Sequence, residues 1–193
     1  MRSINFSLIA DGDIGLVGST SELGDLIKDF EYPKDFKGLE LNHAFFNFRD
    51  PTQNIMLSEE AKLSGIVNSD MTDYLAGNDL IVLRKLVKPL TTQEAAKLME
   101  CVLLYTNKSH YRIGGLFTEA WRYLKQKAND KFGWNLKIDP AAYKYKDGTF
   151  VCSEWVGFAL NYATGRFPDW KGKSPRDWQT DSRFTDSQIV KPV

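Results

Sequence analysis

The sequence lacks most of the features that would narrow a function quickly, and each absence excludes something. Of 193 residues, two are cysteine and two are histidine. There is no Cys-x-x-Cys and no His-Glu-x-x-His, and the four side chains lie far apart in the chain, so no zinc or other metal site is expected. Charge of one sign is also missing, because 25 Lys and Arg balance 25 Asp and Glu and no local run of like charge stands out. A nucleic-acid partner is therefore not expected. Long hydrophobic runs are absent too. Asp11 and Asp13 interrupt the apolar opening, which removes a signal-peptide core, and no later run approaches the roughly 20 apolar residues of a membrane span. The expectation is a cytoplasmic protein without an integral membrane segment. Cys101 sits in a helical-looking stretch, Leu98 to Leu104, whereas Cys152 opens a different segment, so two free thiols in a reducing compartment are expected.

What is present suffices for one domain over residues 1–193, since 42% hydrophobic and 13% aromatic content can bury a substantial core. No internal repeat or low-complexity stretch divides it. Ile4 to Leu16 reads as an extended opening and Ser21 to Lys28 as a short helix. Three apolar runs of strand length follow: Asn42 to Phe48, Asn54 to Glu60 and Asp79 to Leu86, with Asp50-Pro51 as the turn between the first two. Thr91 and Glu94 form a capping-box pair that opens a helix to about Tyr105. Further helices are expected over Leu116 to Ala128 and from Cys152 to Gly165, a natural residue for ending a helix. Strands first and helices later predict an α+β fold.

The chemistry concentrates at Thr149-Phe150-Val151-Cys152-Ser153-Glu154-Trp155-Val156, a β-prone stretch running into an amphipathic helix. A thiol at a helix N-terminus meets unpaired N–H groups and the positive end of the helix dipole, both of which favour the nucleophilic thiolate. Read alone, Cys152 fits a small buried hydrophobe better, since free cysteine is among the most buried residue types. His43 lies in a strand on whose face residues 43, 45 and 47 project together. Beside the Cys152 helix it would take the thiol proton; elsewhere it would be a hydrogen-bonded core histidine. His110, between a helix and Gly114-Gly115, reads as a surface-loop residue.

Taken together, these pieces resemble the circularly permuted NlpC-type papain-like amidases, the YiiX-like group, in which the His strand precedes the Cys helix. The matching segments are Asp11-Gly12-Asp13-Ile14, Asn42-His43-Ala44-Phe45-Phe46 and Val151-Cys152-Ser153-Glu154-Trp155-Val156, with softer matches at Leu80 to Lys85 and Lys173 to Trp178. The resemblance implies a permuted papain-like fold, with a small antiparallel sheet packed against the helix that carries a catalytic cysteine at its N-terminus. It implies Cys152 as nucleophile, His43 as general base and acid, and a polar residue of the next strand to orient the imidazole. Glu60 of the Glu60-Ala61 pair matches that third place. Glu59 is the alternative, because a one-residue register slip exchanges the faces of a strand. Tyr111 of Tyr111-Arg112-Ile113-Gly114-Gly115 is similar to a segment that helps hold the oxyanion in unpermuted relatives, although a longer stretch separates it from the cysteine here. Oxyanion duty falls first to amides at the helix start, with Tyr111 and Ser153 as further oxyanion or substrate candidates. Glu154 reads as structural, a first-turn carboxylate favoured by the dipole.

The implied activity is that of a cysteine hydrolase, a peptidase or amidase that needs no cofactor. It would act on a small-molecule, peptide, peptidoglycan-type or lipid amide through a thioacyl intermediate. The alternatives are an acyltransferase or thioesterase on a lipid, and an inactive binding domain of the same fold.

Overall fold

The computed structural model describes residues 3–19, 25, 28–29, 32, 35–50, 52–77, 79–111 and 149–192. Strands β1 (Ile14–Gly18), β2 (His43–Arg49), β3 (Met56–Lys62), β4 (Gly65–Asp70), β5 (Leu80–Leu86) and β8 (Phe184–Val190) form one antiparallel sheet in the order β4-β3-β2-β1-β5-β8. Two short strands, β6 (His110–Tyr111) and β7 (Thr149–Phe150), pair in parallel beside it. The helices are α1 (Asp73–Ala76), α2 (Thr92–Tyr105), α3 (Cys152–Thr164) and α4 (Pro175–Thr180). The architecture is therefore α+β. No helix among the described residues is long and apolar enough to cross a membrane.

Strand periodicity splits the apolar residues between two faces. Ile14, Leu16, Ala44, Phe46, Phe48, Ala61 and Val82 point to one side, where Leu98, Cys101 and Val102 of α2 and Trp155, Val156, Ala159 and Leu160 of α3 cover them. Val17, Phe45, Met56, Ile81 and Leu83 point to the other, under Ile4 and Ile9 of the opening segment and, less deeply, Tyr74 and Leu75 of α1. Burying each large side chain contributes on the order of 1.5–3 kcal/mol, so both faces act in holding the sheet.

Several elements differ from the sequence expectation for local reasons. The opening is extended only from Ile14. Before it, Phe6–Leu8 forms a 3-10 turn capped by Asn5, whose Oδ1 accepts the Ser7 N–H at 3.1 Å. Asp13, buried, then accepts from the Ala10 amide at 2.8 Å and the Leu86 amide at 2.9 Å, stitching the turn to β5. The strand expected from Asn54 starts at Met56, because Asn54 adopts a left-handed φ of 57° in the β2–β3 turn. The sheet reaches six strands because β4 and β8 also join it. Both are edge strands whose exposed faces carry polar residues, so neither shows an apolar alternation in sequence. The Thr91–Glu94 capping box is present, with the Thr91 Oγ1 accepting the Glu94 amide at 3.2 Å and the Glu94 carboxylate accepting the Thr91 amide at 2.8 Å. Of the helix expected over Ser21 to Lys28, Asp25 and Lys28 are described and are helical; the helix expected over Leu116 to Ala128 lies outside the described residues.

Candidate active site

Helix α3 begins where β7 ends. Val151 keeps an extended backbone (φ −91°, ψ 164°), and Glu154 turns back so that its Oε2 accepts the Val151 N–H at 3.3 Å, satisfying one of the amides that open the helix. The helix closes at Gly165, which takes the left-handed conformation (φ 67°) as the sequence suggested. Its seat is fixed from behind. A Cβ on Gly157 would stand 2.4 Å from the Trp170 Cβ and 2.8 Å from the Trp178 ring, so only glycine lets both tryptophans close on the helix. Trp178 then donates its Nε1–H to the Ser153 carbonyl at 2.9 Å, one residue after the cysteine. Trp178 belongs to α4, whose Ser174-Pro175 start is capped by Asp177: the Asp177 Oδ2 accepts the Ser174 amide at 2.8 Å.

This seat carries Cys152 against the first residues of β2. The Cys152 thiol comes beside the His43 ring and the amides of Ala44 and Ser153, close enough for all three to act on its charge. The Ala44 amide is available for a register reason. Asn47 donates to the Asp13 carbonyl on the β1 side, so by alternation residue 44 faces the β3 side, and the β2–β3 ladder starts only at Phe45↔Glu60. Helix α3 thus enters where β2 and β3 have parted. Burial alone raises the Cys152 thiol, but the His43 charge, the His43 hydrogen bond and the two amides outweigh it and hold the thiol below its ordinary value.

His43 projects beside Phe45, and its Nε2 meets the Glu60 Oε2 at 2.7 Å. That leaves Nδ1 as the ring nitrogen for the sulphur. Burial pulls the imidazole down, yet the Cys152 charge and the hydrogen bonds to Cys152 and Glu60 carry it well above its usual range. The side chain keeps 22% of its surface exposed, whereas Glu60 keeps none, so this cluster meets solvent at the histidine.

Glu60 is fully buried and fully engaged. Oε2 faces His43 and accepts the Tyr74 hydroxyl at 2.6 Å; Oε1 accepts the Ser69 hydroxyl at 2.7 Å and the Lys62 ammonium at 2.9 Å. Burial raises this carboxyl, and the hydrogen bond and charge of His43 with the Lys62 and Tyr74 donors overcome it, bringing the pKa down to about 2. Glu59, the alternative, points to the opposite face and does not meet His43. Its Oε1 lies 2.6 Å from the Thr106 Oγ1, which is itself 2.7 Å from the Val102 carbonyl. Thr106 donates to Oε1, and the Glu59 Oε2 is buried with no hydrogen-bond partner among the described residues, so little offsets the cost of burying a charge here. Burial pushes its pKa up to about 8 in the same sense. Cys101, near Glu59, is buried and pushed up to about 12 by burial and then by Glu59 and Glu100, which separates it chemically from Cys152.

The remaining expected residues fall into place unevenly. The side chain of Ser153 is buried, and its amide serves the sulphur. The backbone of Tyr111 pairs with Phe150, two residues before Cys152, so the long separation in sequence is closed in space; its side chain lies outside the described ones. His110, expected in a loop, is paired with Thr149 in β6 because the two chain segments run side by side there. Glu154 acts on the helix start, as expected. Tyr74, Ser69 and Lys62 were not anticipated. Lys62 was accessible through the period of two from Glu60, but Tyr74 comes from a four-residue helix that no pattern announces.

The α+β fold with its six-stranded antiparallel sheet fits a YiiX-like fold. The chain is similar in structure to the metalloprotein YiiX from Escherichia coli O157:H7, known from a crystal structure, with a TM-score of 0.65 and 15% identity, over 95% of this chain and 99% of that one. No protein-family model and no curated protein sequence matches the chain.

Proposed function

We propose that this protein is a cysteine hydrolase with a permuted papain-like arrangement, cleaving an amide through a Cys152–His43–Glu60 triad. The observation that carries the reading is the continuous contact from the Cys152 sulphur at a helix N-terminus, through His43, to the buried Glu60 carboxylate at 2.7 Å. The order of strands before the cysteine helix, and the likeness to YiiX over nearly the whole chain, support the permuted arrangement.

The lowered thiol and the raised imidazole favour the thiolate–imidazolium form of the pair, from which the reaction starts. The Cys152 thiolate attacks the carbonyl carbon, the C–S bond forms, and the oxyanion gathers amides at the start of α3. Collapse expels the amine, which takes the His43 proton, leaving a thioester and neutral imidazole. Imidazole then accepts a proton from water as the water attacks; the acid departs, and thiolate and imidazolium are restored. Glu60 stays ionised throughout and holds the Nε2–H in place. YiiX is described as a metalloprotein; among the described residues here no three His, Cys, Asp or Glu side chains are grouped to hold a metal, and no step runs through one.

The test is the pH dependence of Cys152 alkylation by iodoacetamide in the wild type and in His43→Ala, with Cys152→Ala subtracting Cys101. Rapid reaction well below the free-thiol pKa of about 8.5, abolished in His43→Ala, is the expected result. Slow reaction in both proteins, or equal reaction in both, ends the triad reading.

A further inference from the structure

One oxygen of Glu60 is shared. Its Oε2 meets the His43 Nε2 at 2.7 Å and also accepts the Tyr74 hydroxyl at 2.6 Å, while Ser69 and Lys62 both sit on Oε1. The phenol is not there by chance of rotamer. Its ring stacks on Phe45 with centroids 4.7 Å apart and planes within 20°. Phe45 in turn lies across Gly15, where a Cβ would fall 1.9 Å from the ring, so a glycine in β1 clears the space for the ring that holds the tyrosine. From the other side, Tyr74 is presented by the turn into α1, in which the Asp70 Oδ1 accepts both the amide and the hydroxyl of Thr72 at 2.8 Å and the Leu75 amide donates to the Thr72 carbonyl at 2.9 Å. Glycine, phenylalanine, tyrosine and glutamate thus form one chain of support ending at the imidazole.

We infer that Tyr74 is a positioning residue that acts on His43 through Glu60: by taking part of the charge on Oε2, its hydroxyl limits how tightly the carboxylate holds the imidazolium proton. This rests on the reading of His43 as the proton carrier. A hydrogen bond to an ion spreads the charge of that ion, and the oxygen that receives two donors holds each less strongly than an oxygen that receives one. For a histidine that must release its proton to a leaving group, a partner that holds the proton too firmly slows the release, so sharing Oε2 keeps the proton transferable. The charged and titratable groups set around the imidazole are Cys152 from α3, Glu60 and Lys62 from β3 and Tyr74 from α1. Lys62 bears on it only through the far oxygen. Ser69 also donates to that far oxygen and provides an internal comparison.

The experiment is an NMR titration of the His43 ring in a Cys152→Ser background, which removes the thiolate charge from beside the imidazole. With two histidines in the chain, assignment takes one further variant, His110→Gln. Adding Tyr74→Phe, which keeps the ring on Phe45, is expected to raise the His43 midpoint by roughly half a pH unit. Ser69→Ala, on the other oxygen, is expected to raise it by less than half as much. A midpoint unchanged or lowered in Tyr74→Phe overturns the inference, and so does an equal response to both variants. Should Tyr74→Phe fail to fold, 3-fluorotyrosine placed at position 74 supplies a stronger donor and is expected to lower the midpoint; no lowering overturns the inference in that form. Alkylation of Cys152 and the His43 titration are separate readings. A failed triad shows in the first, and a failed Tyr74 link shows in the second.

Discussion

Glu59 and Glu60 are neighbours in β3, both fully buried, and they stand in opposite protonation states. Glu60 faces four donors, from His43, Ser69, Tyr74 and Lys62, and is held ionised with a pKa of about 2. Glu59 faces the helices, meets only the Thr106 hydroxyl among its described hydrogen-bond partners, and stays a neutral acid to about pH 8. Depth of burial is the same in the two, so burial does not decide the charge. The number and kind of donors do, because each hydrogen bond to the anion offsets part of the cost of desolvating it. A register of one residue therefore separates a carboxylate able to orient an imidazole from one that resists ionisation.

The sharpest way to break this comparison is to neutralise each glutamate in turn. Glu60→Gln should lower the rate of Cys152 alkylation at pH 6 on the order of 10- to 100-fold, since an amide can neither balance the imidazolium nor accept from all four donors. Glu59→Gln should change the same rate by less than about twofold. Similar losses from both would dissolve the distinction.

Stability against pH separates the pair in a second way. The Glu59 carboxyl rises from 4.5 when unfolded to about 8 when folded, so the stability it contributes is complete below pH 4.5 and is lost as pH climbs through about 8. Glu60 falls from 4.5 to about 2, so its contribution is complete above pH 4.5 and is lost as pH drops through about 2. Chemical denaturation of Glu59→Gln between pH 5 and pH 8 should show a slope shallower than wild type by about 1 kcal/mol per pH unit. An unaltered slope would mean that Glu59 is ionised in the folded chain. The smallest effect belongs to Lys62, whose side chain is 47% exposed although its ammonium lies 2.9 Å from Glu60. Lys62→Ala should cost less than about 1 kcal/mol in denaturant titrations, and the loss should fade in molar salt.

The elements that carry the chemistry were legible because local physics announces them. A β-prone run entering a helix at Cys152, a glycine able to end that helix and a strand presenting His43 on one face are all short-range signals, and the structure places them as expected. The choice between Glu59 and Glu60 was not, because the face of a strand follows from pairing register, which depends on residues far away in sequence. Strands β4 and β8 were hidden because their exposed faces alternate little. Tyr74 was hidden by the brevity of α1, and the availability of the Ala44 amide is a property of where two strands diverge rather than of any residue type.

The parallel pairing of His110 with Thr149 and of Tyr111 with Phe150 has an architectural consequence. It brings Tyr111 beside Phe150, so two points far apart in the sequence become neighbours just ahead of the cysteine helix. The seat of Cys152 thus leans on a contact that no local pattern around the cysteine encodes. A substitution at His110 or Tyr111 that breaks this pairing would therefore loosen the approach to Cys152 from some forty residues away in the sequence.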